Sequence, residues 1–332
     1  MIKDSNKEKV FLEACASGTF QFSYSSLNKL IFSPKLFYKD YILKDREERT
    51  DKHLIQGKLI HLLLLQPEEF DNNFVLLPAK LPSETLRKVL KNITLYTDAI
   101  ELVLVEDKII SDSLKEVGLY QSLKDENKRV AKVRTPECED YYRFLCTTNK
   151  DIIDEDTLEK CKASVELIKD NKSVMDLLED NTTDFEMDSI EVFNEAPLKC
   201  SLDGYTFGLK GIIDRYVIDH DKKVITIIDI KTTGKTIVDF PETVEFYNYW
   251  LQAAVYMTLV AKNLEKKTQD YKINFNFIVI DKYNQIYNFP VRETTMNAWG
   301  DGMSGILGMV NYHVKENRFD LPYDFLTKSI SL

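Results

Sequence analysis

Two acids and a lysine lie close together in Gly211-Ile212-Ile213-Asp214 and, fifteen residues after Asp214, in Asp229-Ile230-Lys231. Side chains along a strand over Ile225–Lys231 alternate between faces, so Asp229 and Lys231 point the same way. The polar stretch Asp219-His220-Asp221-Lys222 between two apolar runs predicts a hairpin turn. Pairing Ile218 with Lys223 sets Asp214 opposite Ile227, diagonal to Asp229 and on the same face. A slip of one residue would put the acids on opposite faces. Two converging carboxylates bind a hard divalent cation through oxygen, and a lysine beside them supplies positive charge to a phosphate or an activated water. These groups suit phosphodiester hydrolysis. The competing reading is a solvated hairpin, in which both acids face water. Ile227, Ile228 and Ile230 argue for a strand buried on both faces, where a carboxylate needs a metal or a cationic partner.

The elements that must position these groups follow from the hydrophobic pattern. Strands are expected over Ser189–Phe193, Thr206–Ile218, Val224–Lys231, Ile273–Ile280 and Ile286–Val291. A helix over Val244–Leu264 separates the third from the fourth. On it Tyr249, Gln252 and Tyr256 share one face, where the tyrosines could equally pack against the sheet. Upstream, Ser25 or Ser26 caps a short helix, and Ser33-Pro34 opens another. Gln56 to Gln66 reads as a buried helix ended by Pro67. His61 lies one turn after Gly57 on that helix; a histidine among Leu and Ile is more often a hydrogen-bonded core residue than a ligand. A last helix is expected over Thr294–Lys315. Residues 1–20 read as a flexible tail, and 21–332 as a single domain. Within it a solvated helical elaboration occupies about 82–180, with helices over Glu155–Asp170 and Ser173–Leu178, and the catalytic sheet about 186–292.

Composition narrows the function classes. Hydrophobic content of 44% supports a full core, and the net charge of -10 argues against a surface coated in basic residues. The polar start and the shortness of the longest apolar run predict no signal peptide and no membrane span. Five scattered cysteines fit a reducing cytoplasm and show no zinc or iron–sulfur spacing. No nucleophilic Ser or Cys arrangement is visible.

The order helix, three strands, helix, strand, with acids on the second and third strands, resembles the PD-(D/E)XK nuclease superfamily. Gly57-Lys58-Leu59-Ile60-His61 and Gln252-Ala253-Ala254-Val255-Tyr256 resemble the GxxxH and QxxxY motifs of its RecB-type branch. Ser26-Leu27-Asn28-Lys29-Leu30, Ser33-Pro34, Gly57 to Phe70, Gly211 to Arg215 and Asp229 to Thr233 look like a RecE-type (exonuclease VIII-like) domain over about residues 22–320. The resemblance implies an α/β (α+β), restriction-endonuclease-like core: a mixed central sheet flanked by helices. It implies Mg²⁺ or Mn²⁺ held by Asp214, Asp229, His61 and the Ile230 carbonyl. Lys231 would orient the attacking water or stabilise the phosphorane, while Gln252 and Tyr256 position the lysine and the DNA backbone. Glu191 on the first strand is only a second-rank candidate for a further metal ligand, a solvated strand acid being its preferred reading. The activity implied is 5′ to 3′ resection of linear double-stranded DNA ends, for recombination with a single-strand annealing protein, in the bacterial host cytoplasm if phage-encoded. A ring-shaped homo-oligomer is expected, with Lys29, Lys35 and Lys39 as candidate channel residues. The alternatives are an endonuclease of the same fold, or a catalytically inactive DNA-binding or assembly protein.

Overall fold

The computed structural model describes residues 5–46, 52–78, 80–147, 149–178, 189–264, 268 and 270–331. They form two compact units, Met1–Pro67 with Cys161–Leu332, and Glu68–Lys160.

The larger unit carries a mixed six-stranded sheet. Its strands are β1 (Gln21–Phe22), β2 (Ile190–Ser201), β3 (Gly208–Asp219), β4 (Val224–Thr232), β5 (Lys272–Ile280) and β6 (Ile286–Pro290). Its helices include α1 (Ser5–Ala16), α2 (Tyr24–Phe32), α3 (Lys52–Leu65), α4 (Phe240–Phe246), α5 (Tyr249–Leu264) and α6 (Glu293–Glu316). β3 runs antiparallel to β2 and β4 and parallel to the short β1. β4 and β5 are parallel, so the chain must cross over between them, and α4 and α5 make that crossing. Ile225, Ile227, Ile228 and Ile230 are all buried, as a strand covered on both faces requires. Phe275, Phe277 and Val279 continue the core on the face of Ile225 and Ile227, with Leu251, Val255 and Leu259 of α5 against it. This is a mixed α/β architecture with a central mixed sheet flanked by helices, as expected.

Several boundaries depart from the sequence reading. Over Ser5–Ala16 the expected tail is a helix that buries Phe11 and Cys15. Phe11 meets Phe20, Phe37 and Phe319, and Glu8 accepts a hydrogen bond from Asn317 Nδ2 at 2.8 Å. The cap of α2 is Ser23, which forms a capping box with Ser26. The long helix expected over Val244–Leu264 breaks at Asn248, whose φ of 56° is left-handed. Asparagine tolerates that conformation better than most residues. β2 continues past Phe193 to Ser201, accepting Pro197 because it is an edge strand.

The smaller unit has its own core, with Val89, Leu90, Ile110, Leu114 and Tyr142 fully buried. Helices Glu84–Ile93, Asp107–Val117 and Pro136–Thr147 supply it, and Phe74–Leu76 pairs in parallel with Asp151–Ile153. A segment expected to be a solvated elaboration is thus a packed unit. Among the described residues no helix is long and apolar enough to cross a membrane.

Candidate active site

The site lies where the sheet forks. β3 and β4 pair from Asp219↔Val224 to Arg215↔Ile228, and the next rung in that register is Asp214 against Asp229. The acids therefore face each other directly, two residues out of the expected register and on the expected shared face. At this rung the ladder ends: the Ile230 N–H donates to Asp214 Oδ2 at 2.7 Å. The carboxylate takes the place of the backbone acceptor lost as the strands part. Further along, β3 instead pairs with β1 at Gly208 and Leu209.

On the other side of β3 the same rung brings in Glu195. Asn194↔Arg215 and Ala196↔Ile213 bracket Glu195 and Asp214, so these two are also opposite. Glu195 has φ 46°, which interrupts the ladder there. Such strain in a non-glycine residue persists only where the surroundings hold it. Three carboxylates from three adjacent strands thus stand in one row.

α3 brings His61 over this row. Gly57 lets the helix come close, because a Cβ there would stand 3.2 Å from Thr232 Oγ1 at the end of β4. His61 Nε2 is 2.9 Å from the Ile230 carbonyl oxygen, which can only accept, so Nε2 carries the proton. Nδ1 then faces Asp214 Oδ2 at 3.5 Å and Glu195 Oε1 at 3.8 Å. A lone pair aimed at carboxylates needs a proton or a cation between them. Burial works against protonation of His61, but Asp214 and Glu195 outweigh it and raise its pKa.

Asp229 is fully buried, and neither of its oxygens has a hydrogen-bond partner. Lys231 Nζ stands 2.5 Å from Oδ2, close as an ion pair but outside hydrogen-bonding geometry. Burial pushes the Asp229 carboxyl up to about 6, Lys231 pulling it down and Asp214 pushing it further up. Desolvation opposes the charge on Lys231, yet Asp229 and Asp214 raise its pKa overall, so it stays an ammonium. Its Nζ also sits 4.9 Å from the centroid of the Tyr249 ring.

These residues fit a divalent cation. His61, Glu195 and Asp214 each bring one ligand atom within 4.8 Å of the others. Carboxylate oxygens with one imidazole are donors suited to a divalent cation. Asp229, whose Oδ2 meets Lys231 and whose Oδ1 has no hydrogen-bond partner, adds a donor on the adjoining strand. The Ile230 carbonyl has used one lone pair on His61 and keeps the other.

Gln252 Nε2 donates to Tyr256 OH at 2.9 Å, so the two act as a unit. Burial raises the Tyr256 pKa, and Asp229 and Asp214 raise it further, placing the phenol in the field of the acids. Its ring rests on Gly211, where a Cβ would come within 3.1 Å of Cε1. The pair lines a cleft of about 670 Å³ together with Lys199, Lys210 and Ile212. Lys199 and Lys210 are paired across β2 and β3, both exposed and two rungs beyond Pro197↔Ile212.

Other expectations resolve differently. Glu191 lies at the far end of β2, opposite Ile218, and holds His220 Nε2 at 2.7 Å. It is a structural partner of a histidine and no part of the cluster. Lys29 is engaged by Asp40 at 2.9 Å, so it is not a free channel cation. Glu195, unnoticed in the sequence, takes the place considered for Glu191. Its signal was available: it stands four residues beyond Glu191, on the same face of the same strand, once that strand is continued through Pro197.

The PD-(D/E)XK nuclease superfamily model matches residues 21–296. Among solved structures, a "putative exonuclease" from Eubacterium rectale is 12% identical with a TM-score of 0.42, over 100% of this chain and 95% of that one. A second, SSO0001, is 11% identical with a TM-score of 0.24, over 76% of this chain and 85% of that one. No curated protein matches. The family match spans most of the chain, and the chain belongs to the PD-(D/E)XK nuclease superfamily.

Proposed function

We propose that this chain is a divalent-metal-dependent deoxyribonuclease that resects linear double-stranded DNA from its ends, 5′ to 3′, in the manner of RecE-type exonucleases. The observation that carries the reading is the meeting of His61, Glu195 and Asp214 atoms within 4.8 Å beside the buried Asp229–Lys231 pair. Three acids against one lysine leave an excess of negative charge that a divalent cation balances. Mg²⁺ or Mn²⁺ held by His61, Glu195, Asp214 and Asp229 would supply the charge that polarises the phosphoryl group and acidifies the attacking water.

The protein's own groups do the rest. Lys231, kept charged by Asp229 and Asp214, offers an ammonium to the phosphate as negative charge builds on its oxygens. The Ile230 N–H and carbonyl hold Asp214 and His61 in place. Gln252 and Tyr256 position the strand along the fork, and Lys199 and Lys210 meet its backbone further out. The distance from Asp214 to that lysine pair is four residues of strand, about 13 Å. A single-strand annealing protein and a ring-shaped assembly of identical subunits complete the proposal, in a cytoplasmic setting.

The test uses linear duplexes labelled at the 5′ or the 3′ end and a covalently closed circle, with Mg²⁺ or Mn²⁺, for the native chain and Asp229→Asn. Metal-dependent shortening of linear DNA from one end, with circles spared and the variant inert, is the expected result. Cutting of circles would make it an endonuclease of the same fold. Absence of any metal-dependent cutting would make it an inactive binding protein.

A further inference from the structure

A ladder of aromatic rings runs from Lys231 to solvent. Lys231 Nζ lies 4.9 Å from the Tyr249 ring, Tyr249 stacks on Tyr247 at 5.6 Å, and Tyr247 meets Phe246 edge-on at 4.9 Å. Burial falls away along it: Tyr247 is 45% exposed and Phe246 72%. Lys235 closes the outer end, 5.3 Å above the Phe246 ring.

The ladder exists because the crossover helix breaks. At φ 56° Asn248 ends α4 and starts α5, turning Tyr247 outward while Tyr249 stays over the lysine. That break is pinned. Tyr24 OH and Asn28 Nδ2 both donate to the Tyr247 carbonyl. Asn248 Nδ2 donates to Asn28 Oδ1 at 2.7 Å, and Trp250 Nε1 donates to Asn248 Oδ1 at 3.1 Å. Side chains from α2 thus fix a turn whose two outermost residues are large, apolar and wet. Folding gains little from exposing Phe246, so the rigidity serves a surface.

We propose that Phe246 and Tyr247 are a stacking platform for the unpaired terminal nucleobases of the DNA strand whose backbone enters the site. This rests on the nuclease reading above. Every base offers a π face to such rings, whatever its sequence. Lys235 beside Phe246 supplies positive charge for the accompanying phosphate, and the ladder's inner end is the lysine that faces the reacting one. By holding opened bases, the platform keeps the end of a duplex from closing again while a strand is fed to Lys231. Phe246 and Tyr247 are positioning residues.

The test is Phe246→Ala/Tyr247→Ala, which leaves the pinned backbone carbonyl in place. Binding is read with 2-aminopurine at the terminal position of a duplex, in the cleavage-blocked Asp229→Asn background with Mg²⁺. The intact platform should change the fluorescence of that base, and the double variant should not. In the active background, cutting of fully paired blunt ends should fall about tenfold, in line with the loss of base–aromatic stacking. Ends already frayed by terminal mismatches should be much less affected, and Phe246→Trp should retain activity on blunt ends. An unchanged 2-aminopurine signal in the variant, or equal loss on blunt and frayed ends, would overturn the platform. If the native chain cuts no DNA, the nuclease reading fails alone, because the fluorescence arm needs no cleavage.

Discussion

Asp214 and Asp229 occupy one rung of β3 and β4 at the point where the two strands part, and the Ile230 N–H satisfies Asp214 while Asp229 Oδ2 meets the Lys231 ammonium and its Oδ1 has no hydrogen-bond partner. The pair is therefore unequal, one acid tied to the scaffold and the other left for a cation. Asp214→Asn can still accept from Ile230, and Asp229→Asn removes a buried charge without changing shape. Each should fold, by circular dichroism, and lose cutting on the order of 10³-fold. Glu195→Gln should weaken Mn²⁺ binding in calorimetry as Asp214→Asn does. Full activity in any folded variant of the three would remove that residue from the site.

Lys231 cannot ligate a cation while charged, and its neighbours keep it charged. Lys231→Ala should leave metal binding largely intact and lower the cutting rate by about 10²–10³-fold, as loss of one electrostatic stabiliser does. Loss of metal binding in calorimetry would contradict that assignment.

His61 separates a ligand from a core residue by two measurements. Its Nε2 is used on Ile230, and its Nδ1 faces two carboxylates rather than apolar atoms. His61→Ala should weaken Mn²⁺ binding by about tenfold or more, since even indirect supports of a metal are worth that much, with a small change in melting temperature. A large fall in melting temperature with unchanged metal affinity would make it a packing residue.

The chemistry was legible where it followed alternation, and hidden where it depended on left-handed backbone or on partners distant in sequence. The spacing of Asp229 and Lys231 on a buried strand predicts their shared face, and the order of elements with the acids on the second and third strands carries the resemblance that implies the fold class. The register was off by two because Lys223, at φ 52°, belongs to the hairpin loop and moves it one residue along. Glu195 was missed because Asn194-Glu195-Ala196-Pro197 reads as the end of a strand, although an edge strand accepts that proline. The break at Asn248 has no local breaker beyond asparagine itself; its support comes from Tyr24 and Asn28, more than two hundred residues away. α1 has little apolar periodicity, and its place depends on Phe37 and Phe319.

His313 on α6 gives a pH dependence away from the metal site. It is buried, stacks on Phe319, and donates from Nδ1 to the Arg318 carbonyl. Burial lowers its pKa, so the unfolded chain takes up this proton first as pH falls. The stability it contributes is present above about pH 6.5, the unfolded value, and is lost as pH drops through the folded one. His313→Gln should flatten that part of a melting-temperature profile between neutral and mildly acidic pH. An unchanged slope would show that other groups carry it.

Lys199 and Lys210 stand directly opposite each other on β2 and β3, and among the described residues neither is drawn into an ion pair with a carboxylate. Like charges so placed destabilise a sheet slightly, and an anion between them would reverse the effect. Along β2 and β3 they are separated from Glu195 and Asp214 by the step of Pro197 and Ile212. That order suits a DNA strand whose backbone returns to positive charge beyond the cutting site. The double variant Lys199→Ala/Lys210→Ala should bind duplex ends more weakly at every sequence. Its log affinity against log salt should be shallower by about one for each phosphate that the lysines no longer neutralise. Cutting at saturating DNA should stay near the native rate, because neither lysine touches the reacting phosphate. Lys315→Ala on the exposed side of α6 controls for a mere change in net charge. A salt slope equal to that of the native chain would remove the lysine pair from the DNA path and leave the metal site standing.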